Sequence, residues 1–230
     1  MESQNYYNQL EDNLKAIPAE DVKRPSIPIK LYTNESESLN FEAINDRDDF
    51  ITKGINVDYL DSLDARVGAL RHAQAKWKDV YKEFGDKKKL WLEKAAEARR
   101  IHRLVIHSLK FIAHNDASLK SKIDAIVEGS GDADLIQDLA DLGVLASSNE
   151  AALAVIGYDT KLTEECSVMA DELANLLAEI NGNDRSDVME MRNRAYTYLK
   201  EAVDEIKRYG KYVFWEDKDR KSIYFRAFGV

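Results

Sequence analysis

The chain has 230 residues, 44% of them hydrophobic, a formal net charge of −9 and a single cysteine, Cys166. That length buries a sizeable core without covalent staples, and one cysteine excludes an internal disulfide. No run approaches the roughly 18 apolar residues of a membrane span, and the first residues lack the basic start and apolar run of a signal peptide, so the expectation is a soluble, cytoplasmic protein.

In chain order, residues 1–17 read as a short helix. All three prolines, Pro18, Pro25 and Pro28, then fall within eleven residues, and each disfavours helix for the residue before it. Residues 18–56 are rich in turn formers and weakly periodic. The whole of 1–56 is therefore expected to be an irregular, partly mobile N-terminal arm.

The strongest signal follows. Positions 60, 63, 67, 70, 74, 77, 81, 84, 88, 91, 95, 98, 102, 105, 109 and 112 step by three and four, and thirteen of these sixteen are apolar. A helix turns once per 3.6 residues, so this spacing places them on one side. The phase carries through Gly85-Asp86, and the reading is one very long helix over about 57–113. The polar members, Gln74, Lys88 and His102, are expected at the edge of the seam, their stems covering apolar surface.

Beyond His114, Asp116 is placed to cap a helix over 117–128. A further helix over about 132–156 carries Leu135, Leu139, Leu142, Leu145, Leu153 and Ile156, with a bend expected near Asn149. Another follows to Gly182 through Cys166 and Leu173. The last long one spans about 186–212 on Ala195, Leu199, Ala202 and Ile206. No segment alternates with period two between hairpin turns. The expected fold is all-α, an elongated bundle of about five helices with essentially no β-sheet. The bundle is bounded at 57–212 and followed by an aromatic and basic C-terminal tail, 213–230, packed on it.

Charge is unevenly spread. Residues 57–113 carry a balance of +5 and residues 114–190 a balance of −13. The simplest account is that the basic helix and the acidic segment pack together and match at their rims; the alternative leaves one face for a charged partner.

Chemistry is sparsely signalled. His72, His102, His107 and His114 share a helix, but the last three are five and seven residues apart, not the three or four that a ligand pair needs, and no Glu-x-x-His or Cys pair is present. No metal or other cofactor is indicated. Asp132, Asp134, Asp138 and Asp141 lack the later ligand positions of a calcium loop. Arg66 with His72 and Arg100 with His107, with five and six residues between, each pair an anion-holding Arg with a His for acid–base work, and Arg100 and His107 are the catalytic candidates. Their spacing is similar to that of the small helical ribonucleases of the HEPN superfamily, from whose pattern the apolar Ile101 departs.

The expected function is a non-enzymatic interaction or structural protein acting through helix faces. Its partner would be another protein or a second copy in a homodimer. Trp77, Tyr81, Phe84, Trp91, Trp215, Tyr224 and Phe225 are the candidate contact residues. A nuclease-like use of Arg100 and His107, or nucleic-acid binding by the aromatic tail, are the alternatives. The acidic chain disfavours nucleic acid, and no membrane or small-molecule ligand is indicated.

Overall fold

The computed structural model describes residues 2–182, 185–226 and 228, and among them regular structure is entirely helical, with no strand. The helices are α1 (Glu2–Lys15), α2 (Ile29–Asn45), α3 (Arg47–Thr52), α4 (Asp58–Asp61), α5 (Leu63–Ile112), α6 (Ala117–Ile126), α7 (Asp132–Ser148), α8 (Glu150–Val155), α9 (Lys161–Gly182), α10 (Arg185–Val213) and α11 (Lys218–Phe225). The all-α expectation holds, but about five helices is too few. Residues 18–56 hold α2 and α3 where an irregular arm was expected, the tail holds α11, and the helix expected over 132–156 is broken at Asn149.

The long helix begins at Leu63, after the separate turn α4, and is unbroken through Gly85-Asp86. A Cβ on Gly85 would meet nothing within 4 Å. The glycine therefore costs only its propensity, about 1 kcal/mol against alanine, and the helix formers on either side carry the turn through.

The chain forms two compact units, Met1–Tyr81 with Asp184–Val230, and Lys82–Asn183.

In the first unit α10 is the central element. Its buried Ala195, Leu199, Ala202 and Ile206 follow the helical repeat, and α1, α2, α3, α4 and α11 pack against it. Arg194 of α10 reaches the end of α1, where its Nη1 donates to the carbonyls of Leu14 (3.2 Å), Lys15 (3.1 Å) and Ile17. These lie at a helix end, where the last carbonyls lack intrahelical partners and a cation is favourable. The following segment is held by Lys23, whose backbone N–H donates to Thr197 Oγ1 at 2.8 Å.

Helix α2 starts directly after Pro28, whose fixed φ suits a helix entrance. Its buried face runs Ile29, Tyr32, Thr33, Ser36, Leu39, Asn40, Ala43. The polar members are bonded: Thr33 Oγ1 donates to Lys30 O (3.1 Å), Ser36 Oγ to Tyr32 O (2.8 Å), and Asn40 Nδ2 to Asp64 Oδ1 (2.7 Å), leaving Asn40 Oδ1 buried without a partner.

Tyr32 itself is 5% exposed, packs its ring on Tyr196 and Phe228, and has a hydroxyl with no hydrogen-bond partner. An unmet buried hydroxyl costs about 1–3 kcal/mol, so Tyr32→Phe should stabilise the protein by about 1 kcal/mol, read as a rise in urea midpoint. Burial, with lesser help from Tyr196 and Asp204, pushes this hydroxyl well above the ordinary tyrosine value of 10.0. Above that value the folded chain therefore keeps a proton that the unfolded chain gives up, and stability falls as pH rises beyond it. The advantage of Tyr32→Phe should widen at alkaline pH; a midpoint lowered at neutral pH would contradict the assignment.

The second unit packs the later part of α5 against α6, α7, α8 and α9. Trp91, Ala95, Ala98, Ile101, Val105 and Leu109 of α5 meet Leu139 and Leu142 of α7 and Cys166 and Leu173 of α9 in one core. Asp116 Oδ1 caps α6, accepting from the backbone N–H groups of Ser118 (2.9 Å) and Leu119 (3.0 Å). Gly143 brings α7 close to α9, where an added Cβ would lie 2.9 Å from Ser167 Oγ. Cys166 is a core residue whose thiol burial pushes up to about 11. The rim is matched in charge as expected, by Lys94 with Glu172 (2.6 Å), Lys87 with Glu179 (3.1 Å) and Arg99 with Asp132 (3.7 Å), pairs that are individually weak in water.

Candidate interaction surfaces

The seam residues do not share one environment. Leu63, Val67 and Leu70 are buried in the first core, and Trp91 to Leu109 in the second. Between them Trp77 and Phe84 are half-buried, and Tyr81 and Lys88 are exposed. Trp77 stacks on Tyr81 (centroids 4.5 Å apart) and lies under the Arg192 guanidinium at 4.7 Å. Of the polar seam members, Lys88 points into solvent. His102 reaches Asp138 with Nε2 at 3.1 Å from Oδ2. Burial raises the Asp138 carboxyl above its usual range, against the lowering effect of that histidine.

Among the tail candidates, Tyr224 is fully buried. Its hydroxyl donates to Asp46 Oδ2 at 2.5 Å, and Arg220 donates to the other oxygen of the same carboxylate. Asp217 Oδ1 caps α11, accepting from the N–H groups of Asp219 and Arg220, both at 3.0 Å. Tyr224 is thus the anchor of a small helix, whereas Trp215 and Phe225 remain exposed. Lys211 and Lys221 lie 4.6 and 5.6 Å from the Phe225 ring. The Arg220 charge meets Glu42 and Asp46 within the first unit.

Arg100 and His107 are both exposed on α5, about 10 Å apart along the axis at 1.5 Å per residue. Glu97 already holds the guanidinium, accepting from its Nη2 at 2.7 Å, so the two candidates are not brought into one catalytic arrangement.

The same outer stripe of α5 carries apolar residues that the seam reading passed over. Leu104 and Phe111 are two turns apart, with Arg100 and His107 interleaved, and all four are exposed. Phe111 lines an open groove of about 860 Å³ together with Val155 and Ile156 from the end of α8. Phe111 is 65% and Val155 86% exposed. Ile156, expected in the core with Leu153, is also outside it, because α8 ends at Val155 and leaves Ile156 as its C-cap, while Leu153 is buried as expected. Lys110 and Asp116 stand on the rim of this groove. Large apolar side chains clustered in this way, unlike scattered ones, mark contact surfaces.

No helix among the described residues is long and apolar enough to cross a membrane. Comparison of the chain with family models, with curated proteins and with solved structures gave no match.

Proposed function

We propose that this is a helical interaction protein that pairs with a second copy of itself through the Phe111 face of the second unit. The observation that carries the reading is the cluster of Phe111, Val155 and Ile156 around one open groove, with Leu104 two turns away. Burying such side chains stabilises a complex by about 1.5–3 kcal/mol each. The second copy is favoured as the occupant because the rim carries both signs, Lys110 and Asp116. A two-fold contact is self-complementary, so each would face its opposite across the axis.

Light scattering coupled to size exclusion, over a range of chain concentrations, tests this. The expected result is a dimer that Phe111→Asp or Val155→Asp weakens by about ten- to a hundredfold, as for a central apolar anchor. Both positions are exposed, so neither change should disturb the fold, which circular dichroism checks. A wild-type chain that stays monomeric at every concentration, or a dimer indifferent to both changes, would overturn the reading.

A further inference from the structure

The first unit carries a second open groove, of about 760 Å³, between the proline segment, the first turn of α2, one face of α5 and Arg192 of α10. Its lining includes five cationic side chains, Arg24, Lys30, Arg71, Lys78 and Arg192, and, among the described residues, no acidic one. In a chain of net charge −9 that concentration runs against the average. Like charges gathered without counterions repel one another, by about 1 kcal/mol or more per close pair even at high dielectric.

Arg71 is neutralised by a two-pronged contact with Glu37 whose Nη2–Oε2 arm is 2.7 Å. Among the described residues no carboxylate pairs with Arg24, Lys30, Lys78 or Arg192. Arg192 is the most telling. It is half-buried, and its Nε (3.1 Å) and Nη2 (2.7 Å) both donate to the neutral Oδ1 of Asn193. Burial without a counter-charge pulls its pKa below the usual guanidinium value.

Two other residues of the groove carry buried polar atoms with no partner, Trp77 Nε1, a donor, and Gln74 Oε1. The two faces of the protein that meet here are apolar, with Ile27 and Pro28 on one side and Ala75 on the other, which lowers the local dielectric and strengthens any ion held there. The first turn of α2 adds unpaired backbone N–H groups, since Pro28 supplies no side-chain cap, though the cation cluster carries the case.

We propose that this groove binds a soluble small molecule bearing two or more phosphate groups. The volume suits a compact ligand, and forked guanidiniums with flexible ammonium groups are the donor set that phosphate oxygens recognise. Stacking of a planar ring on Trp77 is not part of the site, because Tyr81 and Arg192 already lie against the indole.

Calorimetric titration of the full chain with sodium tripolyphosphate, in metal-free buffer, tests the proposal. Saturable one-to-one binding is expected, tighter than for orthophosphate and weakened by salt. The triple change Arg24→Gln, Lys30→Gln, Lys78→Gln removes three exposed side chains and should weaken binding at least about tenfold. Arg192→Gln should do the same independently. A control, Lys88→Gln with Arg103→Gln on the exposed surface of the second unit, should change it by less than about twofold, as expected of distant screened charges. Heats that do not saturate, equal weakening by the control, or binding to phosphatidylserine vesicles with none to tripolyphosphate would overturn it.

Discussion

Gly210→Ala should destabilise the first unit by about 3 kcal/mol, the upper part of the range for overpacking a filled core. At an exposed helical position the same change would stabilise by about 1 kcal/mol, so the sign is a decisive readout. The reason is contact: a Cβ on Gly210 would fall 2.1 Å from Cγ of Tyr224 and 2.2 and 2.3 Å from its two Cδ atoms. The ring cannot simply turn aside. It is fully buried, stacked on Phe214 with centroids 5.9 Å apart, set edge-on to Phe50, and tied by its hydroxyl to Asp46. To admit a methyl group, α11 must lift from α10, giving up these contacts together. Urea denaturation of Gly210→Ala measures the effect. Combination with Tyr224→Leu, which removes the obstructing ring, should cost clearly less than the two single changes added. A Gly210→Ala chain as stable as the wild type would show that α11 is not seated on α10 as described.

Trp91→Ala should cost about 3–5 kcal/mol, the usual range for emptying a large aromatic site in a core. Trp77→Ala should cost less than half of that. Sequence alone gives the two tryptophans the same seam and the same spacing. The structure separates them: Trp91 is 5% exposed inside the second core. Trp77 is half-buried beneath Arg192, with an indole N–H that lacks a partner. Truncating Trp77 thus removes an unsatisfied donor along with the packing, and the two effects oppose each other. Equal losses of stability on thermal or chemical denaturation would contradict this division of the seam.

What was legible in the sequence follows from how strongly each segment shows its period. Helix α5 announced itself because thirteen of the sixteen seam positions are apolar and keep one phase throughout. Helix α2 did not, because Thr33, Ser36 and Asn40 occupy its inner face, and a search for apolar repeats discounts a polar residue that donates to a carbonyl one turn back or to a distant aspartate. Pro28 deepened the error: it bars helix for Ile27 while favouring it for the residues that follow. Helix α11 was hidden by its shortness and mixed charge, although Asp217 is an ordinary capping residue at its start.

The two grooves were less legible still. Leu104 and Phe111 stand off the seam by part of a turn, an irregularity visible in the sequence. That Val155 and Ile156 come to lie beside Phe111 is a matter of tertiary packing. The five cations of the other groove come from three separated stretches of chain, 24–30, 71–78 and 192, and their convergence is a property of the folded unit alone.

The way the first unit is assembled bears on how the protein comes into being. Residues up to Tyr81 have their central packing partner, α10, only after the intervening hundred or so residues, so the three carbonyls met by Arg194 and the core around Leu199 wait on a segment made much later. Lys82–Asn183, by contrast, is contiguous. During synthesis the second unit is complete in sequence while the earlier helices still lack the strut they close upon. The second unit can thus close before the first, although the first begins earlier in the chain, and closing the first unit carries the entropic cost of a long loop.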